Sequence, residues 1–364
     1  MSAPKQLSTI EQQIDVAHAP NGEVDVFTNS SSLWRPGARG IFGGFAIAQS
    51  LRAAQQTVRD GFVAHSLRGS FVFAGNSDES IFYHVERVRD GKGFCTRSVR
   101  AMQGQRPIFI SIISFTKGGS SDKDTDHLQH SRPMPSNIPE PENTYMGTGE
   151  LETPYINSSV GIVDNNRQCR LEDRRIHQWI KACGPLSPSA APQVHQAALV
   201  FMSDSYFLAG VPHSHEIWNF VNTPISEFYP SSKGLSGSTE THTAIQRPHL
   251  ECPAVGPGNG TPRVSMMVSL DHTMYFHNME DLRADEWLLS EIQSSWAGEG
   301  RGLVHQRMWT KEGTLVATCI QEVNTTNYPI YINSCSQERA FADCSQGIVR
   351  LETGQGQKQK TSHL

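Results

Sequence analysis

Apolar and polar positions alternate with the same changes of period in two separate stretches of the chain. Between residues 41 and 58, Phe45, Ala48, Leu51 and Ala54 recur at helical spacing with no proline among them, which predicts a helix. Four runs of strand length follow, at 64–73, 81–89, 94–102 and 108–115, separated by Gly75-Asn76, Asp90-Gly91 and Gly104-Gln105. Asp-Gly between two such runs is a strong hairpin signal. The second stretch opens with the same helical spacing over 193–208. It continues, after an interruption, with strand-like runs at 264–276, 286–294, 302–310 and 315–323. Ser66-Leu67 aligns with Ser269-Leu270, Phe71 with Met274, Gly91-Lys92-Gly93 with Gly298-Glu299-Gly300, and Ser114 with Gln321. The shared order of helix, strands and glycine turn predicts a duplication. Each half is read as one central helix wrapped by a curved antiparallel sheet, an α+β arrangement that buries the helix.

Between and after these stretches the pattern fades. Residues 117–154 are rich in Ser, Asp and Pro and read as an exposed linker. A segment at about 211–263 is dense in Gly, Ser, Thr and Pro and reads as an insertion. The predicted organisation is a first repeat at 20–117, a linker at 118–185, a second repeat at 186–330 carrying the insertion, and a tail at 331–364.

Composition narrows the function. Of 364 residues, 37% are hydrophobic and 18% charged, which excludes a wholly disordered chain, a coiled coil and a collagen repeat. Lys and Arg number 31 against 36 Asp and Glu, a net charge of -5, so no overall field attracts nucleic acid or an anionic membrane. No apolar run approaches the roughly 18 residues of a membrane span. Nor does the N-terminal segment carry an apolar signal-peptide core. The seven cysteines form no CxxC pair, which suits reduced thiols inside a cell. The last three residues, Ser362-His363-Leu364, match the small–basic–Leu pattern read by the peroxisomal import receptor. Peroxisome is therefore the expected location, with cytoplasm the alternative.

The motifs make the chain similar to a known family. Arg39-Gly40-Ile41-Phe42-Gly43-Gly44, His65-Ser66-Leu67, the run from Val85 to Phe94 with Thr96-Arg97, and Ser114-Phe115 mark the first half. Ser269-Leu270-Asp271-His272 leading to Phe276-His277, Glu286-Trp287-Leu288-Leu289, Arg301-Gly302, and Leu315-Val316-Ala317 leading to Gln321-Glu322 mark the second. Together they resemble the acyl-CoA thioesterase II family. The resemblance implies a double hotdog fold and hydrolysis of an acyl-CoA thioester to free acid and CoA, without cofactor or metal. It also implies a catalytic set at Asp204, Ser269 and Gln321. The chain departs from the family pattern at Phe45, Arg68 and Val323, which points to altered substrate shape.

The chemistry fits those residue types. A thioester is already activated, so water can attack directly once a base deprotonates it. Asp204 is the candidate base, since partial burial lifts a carboxyl toward neutrality. Ser269 and Gln321 can each donate and accept hydrogen bonds to hold the water. Gly43 and Gly44 are candidates for backbone donors to the oxyanion. Structural readings stand beside each: Asp204 as a mid-helix carboxylate paired to Arg or backbone, Ser269 as an ordinary strand residue, and Gln321 as a cross-strand bonder. Asp271-His272 looks like a dyad, but adjacent strand residues face opposite ways, which favours a structural or dimer-contact role. His213-Ser214-His215 has metal-like spacing with no third ligand near. Two other functions remain: a non-catalytic acyl-CoA binding double hotdog, and a hotdog enoyl-CoA hydratase, whose Asp-x-Asn-Pro-x-His string is absent. Any homo-oligomer would associate through sheet edges or outer faces.

Overall fold

The computed structural model describes residues 7–20, 22–33, 41–117, 128–141, 153–162, 169–187, 191–215 and 264–327. In chain order the first half comprises α1 (Thr9–Ile14), β1 (Val16–His18), β2 (Val26–Asn29), α2 (Gly43–Gln55), β3 (Phe62–Phe71), β4 (Phe82–Asp90), β5 (Phe94–Gln103) and β6 (Arg106–Lys117). The second comprises β7 (Tyr155–Ile162), β8 (Ile176–Ala182), α3 (Pro192–Ser203), α4 (Gly210–Ser214), β9 (Val264–Ser269), β10 (Asp271–Phe276), β11 (Leu288–Gly298), β12 (Arg301–Thr310) and β13 (Leu315–Asn327). All strands join one sheet in the order β1-β2-β4-β5-β6-β3-β10-β13-β12-β11-β8-β7, with β9 also on β13. The halves meet where β3 pairs antiparallel with β10, Leu67 opposite Met274. Reading outward from that seam, the two halves run through matching strands, so the duplicated order seen in the sequence is the order of the fold.

The helices α2 and α3 are the hub. Residues Gly44–Leu51 of α2 and His195–Ser203 of α3 are buried throughout, as expected of helices apolar on every side and covered by a sheet. They pack against each other in opposite directions. A Cβ placed on Gly44 would lie 2.6 Å from the Phe201 carbonyl oxygen, so only glycine lets the start of α2 approach the end of α3 this closely. At the opposite junction, Gln55 Nε2 donates to the Gln193 carbonyl at 3.4 Å and to Gln196 Oε1 at 3.2 Å.

Several sequence expectations need correction. The interval 118–185 is not linker throughout, because β7 and β8 lie within it and extend the second half's sheet. Every residue of β8 except Lys181 is buried, so its two covered faces erase the alternation that would have announced a strand. Residues 128–141 are mostly exposed, as expected, but are anchored to the same half. There Trp179 Nε1 donates to the Pro139 carbonyl at 2.8 Å and Trp309 Nε1 to that of Arg132 at 3.1 Å. Trp179, Leu289 and Trp309 form a small second core there with Met134 and Ile138. The first half begins before residue 20, since Ile10, Ile14 and Val16 belong to the main core. The helix expected over 193–208 stops at Ser203, and Tyr206 adopts a left-handed φ of 69°. The strand expected over 264–276 is two strands broken at Leu270. Of the expected insertion, only 211–215 are described, in and just after α4, and 216–263 lie outside the described residues. So does the 331–364 tail with Ser362, His363 and Leu364. No helix among the described residues is long and apolar enough to cross a membrane.

Candidate active site

Asp204 lies at the C-terminal cap of α3, not in mid-helix as the spacing suggested. It is only 8% exposed. The antiparallel packing brings it to the N-terminus of α2, where the Gly44 N–H donates to its carboxylate. From the sheet side, Gln321 Nε2 donates to Oδ1 at 3.2 Å. Burial is the largest influence on this carboxyl and raises it from an ordinary 3.8 to about 7, against the opposing pull of the Gln321 and Gly44 bonds. A carboxyl that titrates near neutrality inside a protein is poised to take a proton and return it.

The structure therefore brings Asp204 and Gln321 together. Ser269 shares their side of the sheet without bonding to either. It stands opposite Val323, and opposed residues present their side chains to the same face. Val323 and Gln321, two residues apart on β13, are both buried. Gly43 and Gly44 sit at the site, and the Gly44 N–H is directed at the Asp204 carboxylate, which competes with the oxyanion role expected of it. A Cβ on Gly43 would lie 2.6 Å from Asp204 Oδ2 and 2.8 Å from Phe71 Cζ, so the bare backbone there admits the carboxylate.

Sequence reasoning sets His272 aside as structural or a dimer contact, and the structure places it beside Asp204. It is fully buried, with Nδ1 3.9 Å from Asp204 Oδ1 and Nε2 3.1 Å from Ser203 Oγ. Burial pushes its imidazole down to about 4. Asp271 faces the other way and accepts the Glu322 N–H at 2.6 Å, so the expected split of this pair across the sheet holds. The reason His272 lies beside Asp204 is a bulge in the strand, which no sequence signal announces. The pairing Ser269–Val323 and the pairing Thr273–Ile320 differ by one residue of register. The extra residue, Leu270, places Ser269 and His272 on one face.

Other motif residues serve the scaffold. Arg97 is buried at the base of the β4–β5 hairpin and donates to Thr57 Oγ1, Asp90 Oδ1 and the carbonyls of Thr57, Arg89 and Thr96. Arg68 stacks over Tyr275 at 5.3 Å on the exposed side, away from Asp204, while Phe45 packs edge-on against Phe201 in the core. His213 is buried in α4 beside the Tyr206 ring. No group of three His, Cys, Asp or Glu among the described residues could hold a metal ion. Burial pushes the Cys319 thiol up, so it offers no thiolate nucleophile.

Comparison with known proteins places this geometry. A family model described as the acyl-CoA thioesterase N-terminal domain matches residues 30–116, and one described as the acyl-CoA thioesterase C-terminal domain matches residues 130–324. Acyl-coenzyme A thioesterase 8 of Rattus norvegicus is 32% identical over 299 residues, covering 79% of this chain and 81% of that protein. The peroxisomal acyl-coenzyme A thioester hydrolase 1 of Saccharomyces cerevisiae is 25% identical over 351 residues, covering 88% and 96%. Among solved structures, the acyl-CoA thioesterase II TesB2 of Mycobacterium marinum superposes with a TM-score of 0.60 at 28% identity, covering 89% of this chain and 99% of that one. With both family models matched in order, one on each half of a single shared sheet, the chain belongs to the acyl-CoA thioesterase II family.

Proposed function

We propose that this chain hydrolyses acyl-CoA thioesters to free acid and CoA, with Asp204 as the general base for a direct attack by water. The observation that carries this is a buried carboxyl with its pKa near 7, held by Gln321 and by the N-terminus of α2. Asp204 takes a proton as the water oxygen bonds to the thioester carbon. The resulting oxyanion collapses, the carbon–sulfur bond breaks, and the departing thiolate recovers the proton from Asp204. Gln321 fixes the orientation of the base. Ser269 gives its hydroxyl to the water oxygen from the same face of the sheet. Val323, one of the departures from the family pattern, stands opposite Ser269.

Thiol release from a panel of acyl-CoAs tests the activity, and binding without release would instead favour a non-catalytic acyl-CoA binder. A single turnover in ¹⁸O-labelled water tests the route. Direct attack puts the label in the product acid, whereas label in Asp204 would mean an acyl-enzyme anhydride. We further infer a peroxisomal address, supported by Ser362-His363-Leu364 read as a terminal signal for the import receptor and by the yeast relative named as peroxisomal. An N-terminal fluorescent fusion should be punctate, and a diffuse signal would refute the address alone. Homo-oligomerisation through exposed sheet surfaces is proposed on the same footing, with light scattering as its test.

A further inference from the structure

His272 carries an unused acceptor into the active site. Ser203 Oγ lies 2.8 Å from the Val200 carbonyl oxygen and 3.1 Å from His272 Nε2. A hydroxyl has one hydrogen and a carbonyl can only accept. Both contacts are satisfied only if Ser203 donates to Val200 and His272 donates through Nε2–H. The proton is thereby fixed on Nε2, and Nδ1 becomes an acceptor. That atom is buried and has no hydrogen-bond partner among the described residues, and the same holds for Gln321 Oε1. Nδ1 faces Asp204 Oδ1 at 3.9 Å, too far for a direct bond, and two acceptors gain nothing from facing each other. The spacing suits one shared donor. Two acceptors each about 2.8 Å from one water oxygen, at water's bond angle, stand roughly 4.4 Å apart.

We propose that His272 Nδ1 accepts the second hydrogen of the attacking water while Asp204 takes the first, so that the remaining lone pair points at the thioester carbon. This rests on the reading of Asp204 as the base. It makes His272 a catalytic residue that is neutral throughout, orienting the water and carrying no proton in the reaction. Its low pKa agrees, since the imidazole is uncharged wherever Asp204 is ionised. Gln321 Oε1 is the rival acceptor for the same hydrogen.

Two substitutions separate the orienting role from a structural one. In His272→Gln the amide nitrogen can reach the Nε2 position and keep the Ser203 bond, but nothing replaces Nδ1. In His272→Asn the side-chain oxygen falls near Nδ1, but the Ser203 bond is lost. With KM unchanged, kcat of His272→Gln should fall roughly 10- to 100-fold, the loss of one well-placed hydrogen bond, while His272→Asn should retain the larger share of activity. Any result in which His272→Gln is at least as active as His272→Asn overturns the proposal. Asp204→Asn belongs in the same assay: full activity there would sink the general base itself, whereas an inactive Asp204→Asn beside an unimpaired His272→Gln would sink only the role of His272. Should neither histidine variant fold, Ser203→Ala decides. It frees His272 to carry its proton on Nδ1, which then turns an N–H instead of an acceptor toward the water and the Asp204 carboxylate, so kcat should fall and the pH at which activity rises should move lower. An unchanged kcat and pH profile would overturn the proposal.

Discussion

Replacing Asp204 by Asn should abolish turnover and at the same time stabilise the protein. The side chains have nearly the same shape, and the amide oxygen can still accept from Gln321 Nε2 as Oδ1 does. What disappears is the ionisable group. In the folded chain its pKa rises from 3.8 to about 7. At about 1.4 kcal/mol per tenfold, that shift is a penalty of about 4 kcal/mol on the ionised form, taken as a ceiling. The sign follows from proton binding. Between pH 4 and 7 the folded state holds a proton that the unfolded state has released, so stability falls as pH rises and the full penalty is present above about pH 7. The Asn variant carries no such penalty. Its melting temperature should exceed that of the parent chain at pH 8, and the gap should shrink at pH 5. In the same preparation, thiol release should drop roughly 10²–10⁴-fold, the usual contribution of a general base. A variant that turns over like the parent would refute the catalytic assignment. A variant less stable at pH 8, or more stable by the same margin at both pH values, would refute the burial argument. The combination of lost activity and gained stability distinguishes a functional buried charge from a merely tolerated one.

Three further outcomes follow. Activity should rise with pH through about 7 as Asp204 deprotonates, and Gln321→Ala should move that rise to higher pH while lowering kcat more than it raises KM, because the lost hydrogen bond favours the ionised form; an unmoved profile would separate Gln321 from the base. Gly44→Ala would put a methyl 2.6 Å from the Phe201 carbonyl, so it should lower the melting temperature and activity together, and a fully active, fully stable variant would contradict the close helix packing. Arg97→Ala should cost about 3 kcal/mol or more by leaving buried acceptors unmatched, visible as a lower melting temperature, with KM unchanged in the protein that remains folded.

What the sequence made legible tracks where the forces are local. Helix α2 was readable because its own periodicity and unbroken small residues decide it, and the β4–β5 hairpin because Asp90-Gly91 announces the turn. The halves could be aligned because the same turns recur. Strand β8 was hidden because both its faces are covered, so no alternation marks it. The anchoring of residues 128–141 was not legible because their partners, Trp179 and Trp309, lie far along the chain. The end of α3 gave no warning, since the left-handed residue after it is Tyr206 rather than glycine. The sequence alone sets His272 aside because its position beside Asp204 depends on a bulge. Strict alternation puts Ser269 and Asp271 on one face and His272 on the other. One extra residue in the strand reverses that choice, and nothing in the string Ser269-Leu270-Asp271-His272 announces a bulge.

The duplicated fold also explains why the chemistry is confined to one place. Antiparallel packing of α2 on α3 creates two equivalent junctions, each joining the start of one helix to the end of the other. At the first, Gly43-Gly44 meets Asp204, the glycines letting a carboxylate rest against the α2 N-terminus and the amide of Gly44 holding it there. At the second, the corresponding helix start is Pro192-Gln193, where Gln193 takes the place of Gly44 and its carbonyl accepts from Gln55. The side chain at the helix end there is Gln55, a neutral amide already donating to Gln193 and Gln196, while Gln196 donates to the Ala64 carbonyl at 2.7 Å. The hydrogen bonds named there are all made by neutral amides, none of which takes a proton near neutral pH. On the reading of Asp204 as the base, duplication has kept the scaffold twice and the base once. Losing Asp204 should remove all turnover and not half of it, and a variant with half the parent's kcat would show that the second junction also works.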